Sequence, residues 1–244
     1  MSKNIPLANK WQQLKQHTKA RVALGNVGTG LPLTEVLALK HAHAMAKDAI
    51  VTKLDVGILS QKCKEQAIPY YMFKSEASDR LEYLKRPDLG RQLLLNANLE
   101  KIERVNIVFV ITDGLSAKAV NTNAFKVLDH LLLNLNDNYS FAVALVEQGR
   151  VAIGDAVAEL FHADFVAVCI GERPGLSSPE SMGIYTTYSP KIGFTDERRN
   201  CISNIHANGL SGKQGAQLLN YLIEKSFALK ISGVALKLEV GEIL

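Results

Sequence analysis

The run Val105-Asn106-Ile107-Val108-Phe109-Val110-Ile111-Thr112 is almost wholly apolar, rich in β-branched residues, and stops at Asp113-Gly114. It is short and bounded by turn residues, so it reads as a strand covered on both faces rather than as a buried helix. Strands of that kind belong to parallel sheets, where crossover helices cover both surfaces. The chain then keeps the same grammar: residues 117–135 read as helix, 141–147 as strand, 153–161 as helix and 165–170 as strand. This alternation predicts a doubly wound α/β layer with right-handed crossovers.

After Gly171 the pattern changes. Pro174, Gly175, Ser177, Ser178 and Pro179 fill the stretch before the next strand, expected at 183–189, and leave no room for a crossover helix. That strand is therefore free to pair antiparallel. Ser211 caps an amphipathic helix over 212–230, with Leu218, Leu219, Leu222 and Ile223 on one side, and 234–240 reads as a last strand. The first hundred residues look mainly helical. Residues 33–50 form a run of helix formers with Thr34 as the expected N-cap, and further helical pieces fall at 78–84 and 89–104, broken at Arg86-Pro87.

A chain of 244 residues with 47% hydrophobic content fills one large α/β domain, or a smaller one with an appendage. The formal charge of +4 is spread along the chain, which argues against nucleic acid as a partner. Cys63, Cys169 and Cys201 lie far apart, without the spacing of a zinc knuckle or a disulfide framework, and suit a reducing cytoplasmic setting. No signal-peptide core precedes Lys19, and the apolar runs fall well short of the roughly 20 residues needed to span a bilayer.

Several residue patterns invite a functional reading. Gly25, Gly28 and Gly30 follow an apolar stretch, but their order is G-x-x-G-x-G and Leu31-Pro32-Leu33 separates them from the next helix, so a turn is the expected outcome. His41 and His43 stand two apart on a helix and point in divergent directions, which rules them out as joint metal ligands. Cys201 and His206 fall on opposite faces of a strand, so a thiol–imidazole pair is not expected and Cys201 reads as a small buried hydrophobe. Asp113 and Glu172 are more informative, since each follows a parallel strand at its carboxyl end, where open α/β sheets bind ligands. Asp113 is also placed to cap the following helix. Glu172 sits in Gly171-Glu172-Arg173-Pro174-Gly175, a rigid setting for a solvated charge paired only with Arg173.

Gly171-Glu172-Arg173-Pro174-Gly175-Leu176-Ser177, Tyr188-Ser189-Pro190 and Asn200-Cys201-Ile202-Ser203-Asn204-Ile205-His206 together closely resemble the ethanolamine ammonia-lyase small subunit family. Tyr83-Leu84-Lys85-Arg86-Pro87-Asp88-Leu89-Gly90-Arg91, Asp113-Gly114-Leu115-Ser116 and Gly149-Arg150-Val151-Ala152-Ile153 extend the resemblance over most of the chain beyond residue 20. The stretch between Tyr188 and Cys201 departs from the family pattern in detail. About twenty residues precede the matching core, where many members carry a long extension associated with packaging into a bacterial microcompartment.

The resemblance implies a Rossmann-like, mostly parallel α/β domain over 101–244 and a mainly helical region over 1–100 that contacts a larger partner. It implies half of an adenosylcobalamin-dependent radical enzyme that converts ethanolamine to acetaldehyde and ammonia. The large subunit, a TIM barrel, would bind the substrate and most catalytic groups. Val151, Glu172 and Cys201 match the family's cobalamin-contacting positions, and no catalytic acid, base or metal ligand is assigned to this chain. Rival readings are a stand-alone nucleotide-binding α/β protein, with Gly25–Gly30 and Asp113–Ser116 at its phosphate edge, and a cysteine-dependent hydrolase built on Cys201.

Overall fold

The computed structural model describes residues 10–18, 20–95 and 102–237. Its centre is a six-stranded sheet in the order β1-β3-β2-β4-β5-β6. The strands are β1 (Tyr70–Lys74), β2 (Ile107–Thr112), β3 (Phe141–Glu147), β4 (Phe165–Gly171), β5 (Met182–Tyr188) and β6 (Asn200–Ile205). The helices are α1 (Leu33–Val51), α2 (Val56–Glu65), α3 (Arg80–Lys85), α4 (Ala117–Leu132), α5 (Ile153–Leu160) and α6 (Gly212–Leu229). Strands β1, β3, β2 and β4 run parallel; β5 and β6 are antiparallel additions.

The uniformly apolar runs work because each strand feeds two cores. Along β2, Ile107, Phe109 and Ile111 face a core shared with α2, α4 and α6. Val108 and Val110 face the other way, into a core built on Ile153, Val157, Ala158 and Phe161 at α5. Side chains alternate across the pleat, so every position of β2 is buried. The α/β expectation holds, and the mostly parallel sheet with helices on both faces is compatible with its Rossmann-like form.

The reversal into β5 was also legible. Residues between Gly171 and Met182 form no crossover helix, and β5 returns beside β4 with Phe165 opposite Tyr188. Three details differ from expectation. The described part of the helix expected at 89–104 is not helical: a 3-10 turn at Leu89–Arg91 leads into extended chain, where Leu93 bridges Ser75; residues 96–101 lie outside the described residues. Hydrogen bonds from the Glu76 and Leu94 amides draw this segment onto the end of β1, a tertiary contact that overrides helix propensity. The strand expected at 234–240 is instead a 3-10 turn at Gly233–Ala235, held by the Asn200 side chain, and 238–240 lie outside the described residues. Helix α1 has Pro32, not Thr34, at its N-cap.

Strand β1 and helix α2 had no counterpart in the sequence reading. β1 is a short, half-exposed edge strand, so it lacks the continuous burial that marks its neighbours.

Candidate functional site

The turns at the carboxyl ends of β2 and β4 meet backbone to backbone. Gly114 has φ +53°, and a Cβ there would strike the Gly171 carbonyl; a Cβ on Gly171 would strike the carbonyls of Ser116 and Asp113. Only glycine at both positions allows the approach. The contact is fastened by the Leu115 amide, which donates to the Gly171 carbonyl at 2.9 Å.

Beside this junction opens a cleft of about 1390 Å³. Its floor is the start and exposed face of α5 with Val151, Ala152, Ala156 and Leu160. The β4–β5 turn closes one end through Gly171, Glu172 and Arg173; the segment from Pro87 to Leu95 makes one wall and that from Ile192 to Asp196 the other. The cleft thus sits at the carboxyl edge of a parallel sheet, the expected place for a ligand.

Two of the three sequence-predicted site residues, Val151 and Glu172, line this cleft. The Glu172 carboxylate is fixed at one oxygen by the Ser181 hydroxyl, which donates at 2.6 Å, while its amide donates to the Ser181 carbonyl. Among the described residues no ion pair joins it to Arg173. Cys201 is not a lining residue. It lies on edge strand β6 opposite Tyr185, and it is Tyr185 that lines the cleft.

Cys201 is exposed rather than buried, because β6 is the outermost strand and covers only one flank of β5. Desolvation still raises its thiol, so it is held protonated and is a poor nucleophile. His206 accepts from the Asn208 amide and Asp196 pairs with Arg199, so neither serves Cys201 as a base. The hydrolase reading has no support in this geometry.

Tyr83, fully buried, organises the wall next to Val151. Its hydroxyl donates to the Gly149 carbonyl at 3.0 Å, and the guanidinium groups of Arg80 and Arg150 lie 4.9 and 4.3 Å from its ring centre. The Arg150 amide donates to the Gly90 carbonyl, and Gly90 is packed so closely that a Cβ would come within 2.8 Å of Tyr83 and Arg150. Arg150 lines the cleft, and its buried Nε has no hydrogen-bond partner among the described residues.

Asp113 does not cap α4; Ser116 does, accepting from the Ala119 amide while donating to the Pro179 carbonyl. Asp113 is buried and paired with Arg80 at 3.1 Å. Burial pushes its carboxyl up to about 6, and the Arg80 charge limits the rise. Gly25–Gly30 forms a small hairpin, closed by reciprocal hydrogen bonds between Val27 and Gly30, as the turn reading expected. His41 and His43 are exposed on α1, and no metal-binding cluster occurs among the described residues.

The sequence reading also missed Asp155 and Arg199. They form a two-point ion pair at 2.9 and 2.6 Å with almost no exposure on either side. Desolvation raises the Asp155 carboxyl while the facing guanidinium opposes the rise. The partners are 44 residues apart in sequence, and no local pattern links them.

A doubly wound sheet bearing a large, partly apolar cleft at its parallel carboxyl edge places the chain in the class of open α/β proteins, whose ligand sites lie at that edge. Residues 8–237 match the family model of the ethanolamine ammonia-lyase light chain (EutC). Proteins named ethanolamine ammonia-lyase small subunit from Xanthomonas campestris pv. campestris and Azotobacter vinelandii are 45% and 43% identical, over 95% and 94% of this chain and 89% and 88% of their own lengths. One from Pseudomonas fluorescens is 45% identical over 94% of this chain and 87% of its own length. The chain belongs to the ethanolamine ammonia-lyase light chain family and is a component of a lyase. No helix among the described residues is long and apolar enough to cross a membrane.

Proposed function

We propose that this chain is the small subunit of an adenosylcobalamin-dependent ethanolamine ammonia-lyase, and that its cleft holds one side of the corrin while a larger subunit closes the other. The observation that carries this reading is the shared cleft: Val151 and Glu172 border one cavity, and Tyr185 connects Cys201 to it. The cavity exceeds the roughly 300–1,000 Å³ of ordinary small-molecule pockets, as a large flat ligand needs.

The lining suits that ligand chemically. A corrin offers a broad apolar ring edged by amide side chains. Val151, Ala152, Ala156 and Leu160 supply apolar contact, and the carboxylate of Glu172, aimed by Ser181, accepts amide N–H groups. The guanidinium of Arg150 and the Tyr185 hydroxyl, both in the lining, are donors for amide carbonyls. When bound, the cofactor supplies radical chemistry through its cobalt–carbon bond. This chain binds, orients and excludes water, and it contributes no acid or base; ethanolamine is bound mainly by the large subunit.

The large subunit meets the region 1–100 in this reading. Leu33 and Leu37 on α1 are 71% and 54% exposed, apolar surface suited to a subunit contact. The assembled enzyme works in the cytoplasm, free or within a microcompartment, where the free cysteines stay reduced. The nucleotide-binding alternative loses ground, since the Gly25–Gly30 hairpin is closed on itself and Asp113 is engaged by Arg80.

Glu172→Ala tests the reading in the complex with the large subunit. Leaving a corrin amide without its acceptor costs about 1–3 kcal/mol, or up to about a hundredfold in cofactor affinity. Visible absorption during titration with adenosylcobalamin measures it, and ethanolamine affinity should stay constant. An unchanged cofactor affinity removes Glu172 from the site.

A further inference from the structure

Between β5 and β6, residues 189–199 carry one wall of the cleft yet have almost no core of their own. Ile192 is 65% exposed, Gly193 stands at φ +94° with nothing near its Cβ direction, and residues 195–198 are exposed. Buried Pro190 anchors its start, and the turn at Gly233–Ala235 holds its far end, where the Ser232 hydroxyl donates to the Arg198 carbonyl at 2.7 Å. Over the part that lines the cleft, from Ile192 to Asp196, polar ties to α5 take that role. The Arg199 fork donates two bonds to Asp155 on α5, one to the Thr187 hydroxyl on β5, and one to the Phe194 carbonyl within the loop. One helical turn further along α5, Glu159 accepts from the Ile192 amide at 2.9 Å. Asp155 and Glu159 are four residues apart and lie along one side of the helix, so α5 grips the loop at two heights.

We infer that Asp155 and Arg199 are positioning residues that lock the 189–199 loop to α5 as a pre-formed wall of the cofactor cleft. This rests on the cofactor reading above. An ion pair with both members desolvated is a poor means of stabilising a fold, since apolar residues of equal volume hold as well. The forked guanidinium does something an apolar contact does not: it reaches helix, strand and loop at once in fixed directions. Because α5 also forms the floor of the cleft, the pair sets the distance between floor and wall. A wall held in place before the ligand arrives spares the entropy of ordering it on binding.

The test uses this chain assembled with its large subunit. Asp155→Asn leaves a buried guanidinium unmatched and can compromise folding, so the double variant Asp155→Leu/Arg199→Met, which leaves no buried charge, accompanies it. Amide exchange at Ile192, Phe194 and Arg199 should speed up by about tenfold or more. Adenosylcobalamin affinity, followed by visible absorption, should fall by about tenfold. At saturating cofactor, kcat and the ethanolamine KM should each remain within about twofold of the parent, since a positioning role toward the cofactor leaves the substrate site alone.

Unchanged amide exchange in the double variant overturns the inference, because the pair then does not hold the loop. Faster exchange with unaltered cofactor affinity overturns it as well, because the loop is then not a wall of the site. Glu172→Ala, titrated in parallel, separates the two levels. If it weakens cofactor binding while the loosened loop does not, only the loop inference fails; if neither change alters binding, the cofactor reading fails.

Discussion

The two halves of the sheet solve different problems. In the parallel half, β2 and β4 are buried at every position and built almost wholly from apolar residues. In the antiparallel half, β6 buries only Ile202 and Ile205, and β5 carries Thr186 and Thr187 into buried positions, where Thr187 accepts from Arg199. The first half is expected to carry more of the stability, and the second carries most of the polar contacts around the cleft. The cleft opens where they join, at Gly171, so a parallel edge buried on both faces is combined with a turn and a loop held largely by polar contacts.

The contrast can be attacked by substitution. Phe109→Ala, at the centre of β2 and 1% exposed, should cost about 3–5 kcal/mol in chemical denaturation, the range for emptying an aromatic from a packed core. A much smaller loss would mean that the parallel half is not the stability-bearing one. Asp113, at the seam, should respond to pH. Its carboxyl titrates near 6 when folded and lower when unfolded, so the folded state holds the extra proton between about pH 4 and 6. That contribution is present below the unfolded value and lost as pH rises through 6. Relative to Asp113→Asn, the parent protein should therefore lose up to about 3 kcal/mol of its advantage between pH 4 and 7, read from paired denaturation curves. A difference that does not vary with pH would place the proton elsewhere.

The smallest effect is expected on the outermost strand. Cys201→Ala trims one small side chain at an exposed edge, and should cost less than about 1 kcal/mol while leaving turnover in the assembled enzyme. Complete loss of activity with assembly intact would give the thiol a chemical role. A stability loss as large as that of Phe109→Ala would erase the distinction between the halves.

How much of this was readable in the chain follows the same division. Strands β2, β3 and β4 and helices α4, α5 and α6 announce themselves because burial on both faces, or on one helical stripe, demands a local pattern. Strand β1 escaped because an edge strand needs cover on fewer sides, and residues 92–95 misled because their structure is a hydrogen-bonded annex to β1. At the site, the local setting of Glu172 was sound, a carboxylate at a strand end in a rigid turn. The position of Cys201 behind Tyr185 depended on the β5–β6 register, which no single segment encodes.

Periodicity and turn chemistry alone therefore determined the α/β class, the buried parallel strands and the antiparallel reversal after Gly171, since each follows from what neighbouring residues can do with their own backbone. Only the tertiary structure decided which distant side chains share the cleft, that Ser116 rather than Asp113 caps α4, and that Arg199 finds Asp155. Those pairings are set by how elements pack in space: a charge enters the interior only where packing happens to deliver its partner, and the order of residues along the chain holds no record of that meeting.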